Sequence, residues 1–187
     1  MMRGVVLAGG KSSRFGSDKA LAVYQDEFFL RRAVRILTEL KLDPVVVTRE
    51  GISYSVPDSA ILYDYLPEKG PLGGIYTVMR KFPGDDLLVL TCDMPALGEK
   101  ALLGLIEEYK KNPALTLYRS VSTKIEPFPG IYPYGLFPEI FKNILTEKLA
   151  MHQLIQPVFE KNIVSFGGSS KALMNVNNQT DLKILNT

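Results

Sequence analysis

Apolar residues follow two alternating rhythms along this chain. Short, nearly continuous apolar runs occupy 3–8, 44–48, 61–64, 87–91, 114–118 and 163–166, the pattern of strands buried on both faces. Between them lie segments of helical period. Over 28–40, Leu30, Ala33, Val34, Leu37 and Leu40 share one face while Arg31, Arg32, Arg35 and Glu39 fall elsewhere, so the spacing predicts a packing helix with a solvated arginine face. A second helix is predicted to begin after Gly73-Gly74 and to run through Met79 to about Phe82. A third is predicted over 99–111 with Leu102, Leu105, Ile106 and Tyr109 inward. Pro83-Gly84 and Asn112-Pro113 stop them. Strands alternating with helices predict an α/β fold with a mostly parallel sheet flanked by helices. In the last third Pro127, Pro129, Pro133 and Pro138 break the rhythm before a helix with Leu136, Phe137, Ile140, Phe141 and Ile144 on one side.

Composition narrows this picture. At 187 residues and 46% hydrophobic, the chain suits one domain, 1–187, with a sizeable core. The 22 basic and 20 acidic residues give a net charge of +2 with no block of one sign. Neither a nucleic-acid footprint nor a polybasic membrane patch is expected, and a free nucleotide is the better ligand. Cys92 is the only cysteine, which excludes an internal disulfide and an all-cysteine metal site and fits a reducing compartment. The short apolar run near the N-terminus does not make a secretory signal, and no run reaches membrane-span length. A soluble, cytoplasmic protein is expected.

The chemistry starts where the first strand ends. Val5-Val6-Leu7 opens into Ala8-Gly9-Gly10-Lys11-Ser12-Ser13-Arg14-Phe15-Gly16-Ser17-Asp18-Lys19, a phosphate-handling loop in outline. Glycines let backbone N–H groups approach an anion, and Arg14 and Lys19 supply charge. It is not a P-loop, because Val5 stands where a glycine is required. It is not the dinucleotide fingerprint either, because its glycines fall at 9, 10 and 16 and the next strand ends in Thr48-Arg49. Loops at the carboxyl ends of parallel strands converge on a crevice, so 9–19, 64–74 and 92–95 are expected to meet there. Asp93 closes the apolar run Leu87–Cys92 and either projects into that crevice or caps the next segment. Asp64 ends the run Ala60–Tyr63, and Asp58, in a Pro-Asp-Ser turn, is read as structural. Asn175 and Asn177 flank Val176, so in extended backbone both amides face one side. The alternative is an Asx-rich turn before a final helix. His152, the lone histidine, has no nucleophile pattern around it, and Cys92 is read as buried and inert.

The run Leu-Ala-Gly-Gly-x-Ser-x-Arg-x-Gly-x-Asp-Lys, then Gly70-Pro71-Leu72-Gly73-Gly74, Thr91-Cys92-Asp93-Met94-Pro95 and Asn175-Val176-Asn177 together resemble the molybdenum cofactor guanylyltransferases (MobA family) of the nucleotidyltransferase superfamily. The four motifs stand in the expected order over nearly the whole chain. The resemblance implies a single Rossmann-like nucleotidyltransferase domain. It implies transfer of GMP from GTP to the terminal phosphate of molybdopterin, with pyrophosphate released. It further implies that Asp93 is the magnesium (Mg2+) ligand and binds the nucleotide, that Lys19 and Arg14 face the β- and γ-phosphates, that Gly9 and Gly10 offer backbone donors to phosphate, and that Leu7, Ala8 and Gly9 with Asp64 hold the nucleoside. Asn175 and Asn177 would lie near the metal or the acceptor phosphate, and Glu126 near the acceptor. Molybdoenzymes or cofactor-delivery proteins are implied as partners. Two departures stand out: the family usually has alanine at position 73, and Asn-x-Asn-Thr-Pro-x-Asp where this chain has Asn175-Val-Asn-Asn-Gln-Thr-Asp181. Two other readings remain open at this stage: a related transferase using CTP or another phosphorylated acceptor, and a nucleotide-binding regulator without turnover.

Overall fold

The computed structural model describes residues 1–9, 18–57, 59–120 and 122–186. Its elements in chain order are β1 (Met2–Leu7), β2 (Val23–Tyr24), β3 (Glu27–Phe28), α1 (Phe29–Glu39), β4 (Pro44–Thr48), β5 (Ala60–Tyr63), α2 (Gly70–Lys81), β6 (Asp86–Thr91), α3 (Glu99–Lys111), β7 (Leu115–Arg119), β8 (Ile125–Tyr132), α4 (Phe137–Leu145), α5 (Met151–Ile155), β9 (Lys161–Ser165) and α6 (Gln179–Asn186). Among the described residues, seven strands form one sheet in the order β5-β4-β1-β6-β8-β7-β9, and β2 with β3 makes a small hairpin.

Alternation along the buried strands explains the layering. Val6, Leu88 and Leu90 face one side, where α1 contributes Leu30, Val34 and Leu37 and α3 contributes Leu102 and Leu105. Val5, Leu87 and Val89 face the other, against Leu72, Ile75 and Met79 of α2, Ile140 of α4 and Leu154 of α5. Successive strand residues point to opposite faces, so a continuous apolar run is what a sheet covered on both sides requires.

The chain runs from β1 outward through β4 to β5, then returns over α2 to place β6 on the other side of β1. That reversal between β1 and β6 is a topological switch point, where loops leaving the carboxyl ends diverge and open a crevice.

Two expectations need correction. The six predicted strand runs all lie in the sheet, but a seventh, β8, runs antiparallel between β6 and β7. Its prolines argue against an interior strand. They fit because the register with β7 jumps from Leu117↔Gly130 to Tyr118↔Glu126, leaving residues 127–129 outside the ladder, where an amide donor is not needed. The second helix begins at Gly70, before Gly73-Gly74 rather than after them. Gly70 has φ of +58°, a conformation open to glycine, and lets the chain pass from a short helical turn at Pro67–Lys69 straight into α2. Pro71 then sits in the first turn, where its missing N–H costs nothing.

The two glycines inside α2 are packing contacts. A Cβ on Gly74 would lie 2.8 Å from Leu7 Cδ2, and one on Gly73 would lie 2.5 Å from the carbonyl oxygen of Leu66. Alanine at 73, the residue usual in the resembled family, would therefore force the backbone of the preceding loop to shift. Gly73→Ala gains about 1 kcal/mol of helix propensity, whereas forcing a methyl against fixed backbone costs about 1–3 kcal/mol. A net loss is expected, lowering Tm by about 2–6 °C in a thermal unfolding scan. An unchanged or raised Tm would show that the 64–69 loop yields freely.

Candidate active site

The crevice at the switch point has a volume of about 220 Å³ and is walled by Leu7, Ala8 and Gly9 at the end of β1, Thr48 and Arg49 at the end of β4, Asp64 after β5, Gly70, Pro71 and Gly74 of α2, and Asp93 after β6, with Asp18 and Lys19 beside them. The structure thus brings Leu7, Ala8, Gly9, Lys19, Asp64 and Asp93 together. Gly10, Lys11 and Arg14 lie outside the described residues, as does Asp58.

At one end, Lys19 Nζ donates to Asn177 Oδ1 at 2.7 Å and lies 3.4 Å from Asp93 Oδ2. Three segments distant in sequence meet here for identifiable reasons. Asp93 follows β6. Lys19 opens a helical turn that Asp18 caps, its Oδ1 accepting from Ala20 N–H at 3.0 Å. Asn177 arrives because Val176, fully buried, donates its N–H to the carbonyl of Asp93 at 2.8 Å. Buried Val176 turns its neighbours outward, and Asn175 and Asn177 are both exposed. Asn177 reaches Lys19, while Asn178 caps α6: its Oδ1 accepts from Asp181 N–H, and Asp181 Oδ2 accepts from the N–H groups of Asn177 and Asn178. This reciprocal capping box fixes the turn without the proline of the resembled pattern.

Asp93 does not cap a helix, since α3 begins after Gly98. Its Oδ1 is buried and has no hydrogen-bond partner among the described residues. A carboxylate oxygen left without a partner is a hard ligand suited to a divalent cation, and nucleotidyltransferases generally use one. Among the described residues no three His, Cys, Asp or Glu side chains cluster as a preformed cage, so such an ion would draw most of its ligands from phosphate and water. Next to it, burial and the charges of Asp93 and Asp18 push the Cys92 thiol up to about 12, which keeps it protonated and inert.

At the other end, Asp64 is committed on one oxygen. Oδ1 accepts from Thr77 Oγ1 at 2.8 Å and from Leu66 N–H at 2.9 Å, tying the 64–69 loop to α2. Oδ2 lies towards Gly73. Leu7 and Ala8 differ from expectation in one respect. The Leu7 carbonyl already accepts from Cys92 N–H at 3.2 Å and Ala8 N–H donates to the Val47 carbonyl at 2.8 Å.

Four residues of this site escaped sequence reasoning. Asp18 stood in the motif without a role. Tyr54, largely buried, donates its hydroxyl to Asp18 Oδ2 at 2.7 Å, and burial together with that carboxylate raises its pKa; nothing local marks it, because the partner is 36 residues away. Thr77 and Arg49 are legible only once the strand ends are assembled. Glu126 lies elsewhere, on a hollow of about 680 Å³ with Phe166, Lys171, Leu173 and Met174. His152 is exposed on α5. No helix among the described residues is long and apolar enough to cross a membrane.

An open sheet with a switch-point crevice, a strand-end aspartate and a lysine from the first loop defines a nucleotide-handling α/β domain of the nucleotidyltransferase class. Residues 4–161 match the family described as the MobA-like NTP transferase domain, and the chain belongs to that family. A probable molybdenum cofactor guanylyltransferase from Flavobacterium johnsoniae is 30% identical, the match covering 97% of this chain and 94% of that protein. The fold is shared with the crystal structure of molybdopterin-guanine dinucleotide biosynthesis protein A from Archaeoglobus fulgidus, at a TM-score of 0.80 and 20% identity over 99% of this chain and 96% of that one. It is also shared with the 2-C-methyl-D-erythritol 4-phosphate cytidylyltransferase from Thermus thermophilus, at a TM-score of 0.73 and 12% identity over 97% of this chain and 95% of that one.

Proposed function

We propose that the chain, acting as one domain in the cytoplasm, transfers GMP from GTP to the terminal phosphate of molybdopterin. An oxygen of the acceptor phosphate attacks the α-phosphorus of GTP, the bond between that phosphorus and the α,β-bridging oxygen breaks, and pyrophosphate leaves with the electron pair. The observation that carries the reading is the meeting of Lys19, Asp93 and Asn177 at the switch point, in a chain whose relatives are guanylyltransferases by name.

The family's divalent ion is read as magnesium, with Asp93 as its protein ligand; when bound it neutralises phosphate charge and aligns the reacting oxygens. The residues of the chain do the rest. Lys19, steered by Asn177, supplies positive charge where pyrophosphate charge develops. Arg14, from the same loop, is read as a second phosphate cation. Gly9 and Gly10 offer backbone donors, and Leu7, Ala8 and Asp64 hold the nucleoside. In-line positioning and charge neutralisation carry such a transfer without a dedicated general base. The acceptor enters from the side of Asn175 and Asn177, and Glu126, on a separate hollow, is read as a contact to its far end. Molybdoenzymes or cofactor-delivery proteins are the proposed recipients of the product.

The test supplies molybdopterin and magnesium with GTP, CTP or ATP in turn, and measures pyrophosphate release and the dinucleotide product. Turnover with GTP alone is expected. Equal turnover with CTP would overturn the base assignment, and GTP binding without pyrophosphate release would make the chain a non-catalytic binder.

A further inference from the structure

Arg49 lines the crevice, yet the proposed mechanism leaves it without a task. It follows β4 at its carboxyl end. Its Nε is buried with no hydrogen-bond partner among the described residues. A donor kept dry without an acceptor is a standing cost to the fold, which a bound group offering acceptors would remove. Its stem lies against Gly9: a Cβ there would sit 3.6 Å from Arg49 Cγ, so the bare glycine leaves the space beside the arginine open.

Position separates a base from a phosphate as the occupant. The phosphate end is marked by Lys19, Asp93 and Asn177 beside β6. In the sheet β4 and β6 flank β1, and with neighbouring strands about 4.8 Å apart the ends carrying Arg49 and Asp93 stand about 10 Å from each other. Arg49 neighbours Asp64 instead, whose N–H donates to the carbonyl of Thr48 at 2.8 Å. Donors on one side and a carboxylate on the other match guanine, which carries acceptors at O6 and N7 and donors at N1 and N2. The guanidinium fork fits the O6/N7 edge bidentately, whereas adenine presents an amino donor there.

Resting on the guanylyl reading above, we infer that Arg49 is a specificity-determining residue that reads the O6/N7 edge of GTP. The test is calorimetric binding of GTP, 7-deaza-GTP and ATP in magnesium to the full chain and to its Arg49→Lys and Arg49→Ala variants, with Tm measured alongside. The wild-type protein is expected to bind GTP several-fold more tightly than 7-deaza-GTP, which lacks the N7 acceptor. Both variants are expected to lose about tenfold in GTP affinity, to bind GTP and 7-deaza-GTP alike, and to bind ATP within about twofold of wild type. Arg49→Lys keeps the charge and removes the fork, so it stays informative if Arg49→Ala folds poorly. Equal losses for all three nucleotides in Arg49→Ala, with Arg49→Lys unaffected, would make Arg49 a phosphate contact and overturn the inference. A lowered Tm with the GTP to 7-deaza-GTP ratio kept would make it structural and do the same. Wild-type protein that does not prefer GTP over ATP would overturn both this inference and the guanylyl reading; a wild-type preference retained in both variants overturns this inference alone.

Discussion

Asp93→Asn is expected to lower turnover by about a thousandfold while leaving Tm unchanged or slightly raised. The substitution keeps the shape of the side chain and removes its charge, so the strand end and the Val176 N–H bond to the Asp93 carbonyl stay intact. What is lost is the negative charge that a divalent cation needs from its ligand. Oδ1 is already buried without a partner among the described residues, so the fold has no hydrogen bond to lose at that oxygen. The ion pair with Lys19 is a loose one at 3.4 Å, with both side chains partly exposed, and pairs of that kind contribute about 0–1 kcal/mol. A group that costs the fold something and whose removal abolishes activity is serving chemistry. Steady-state pyrophosphate release and scanning calorimetry on the same preparation decide the matter. A variant that keeps a tenth of the activity, or loses several degrees in Tm, would reduce Asp93 to a structural residue.

The legibility of this site in the sequence follows the range of the interactions that build it. Val5 and Val6, or Leu87 to Leu90, announce a doubly covered strand because burial on both faces is written residue by residue. The switch point then follows from strand order, and with it the convergence of Gly9, Asp64 and Asp93. Position 73 shows where this stops. As a motif letter Gly73 was a mild departure from the family; in space it answers to the Leu66 carbonyl, a contact created by the path of a loop that periodicity does not describe. Pro127 and Pro129 hid β8 for a related reason. A proline forbids a ladder bond at its own nitrogen, and the irregularity that makes this harmless belongs to the pairing with β7 rather than to β8 itself. Tyr54 and Arg49 had no local signal: each matters through what another strand end brings beside it.

Lys19→Ala is expected to lower kcat by about 10²–10³-fold while weakening GTP binding by no more than about tenfold. The asymmetry is the informative part. Lys19 Nζ is placed by Asn177 at 2.7 Å and by Asp93 at 3.4 Å, on a turn whose cap, Asp18, is itself clamped by Tyr54. A cation positioned before substrate arrives serves the charge that appears as pyrophosphate departs, and an interaction stronger in the transition state than in the bound ground state shows in kcat. Restoring the charge as arginine is not expected to restore the rate, because a guanidinium on a longer stem does not reproduce a point charge fitted between Asn177 and Asp93. Loss of the lysine also leaves Asp93 without its neighbouring ammonium, so nucleotide-free protein is expected to bind Mn2+, used as a probe of the carboxylate, more tightly than wild type. Kinetics with saturating acceptor and calorimetry with Mn2+ alone separate the two effects. A variant whose GTP affinity collapses while kcat at saturation is unchanged would make Lys19 a ground-state phosphate anchor, and the leaving-group role would have to pass to another residue of the first loop.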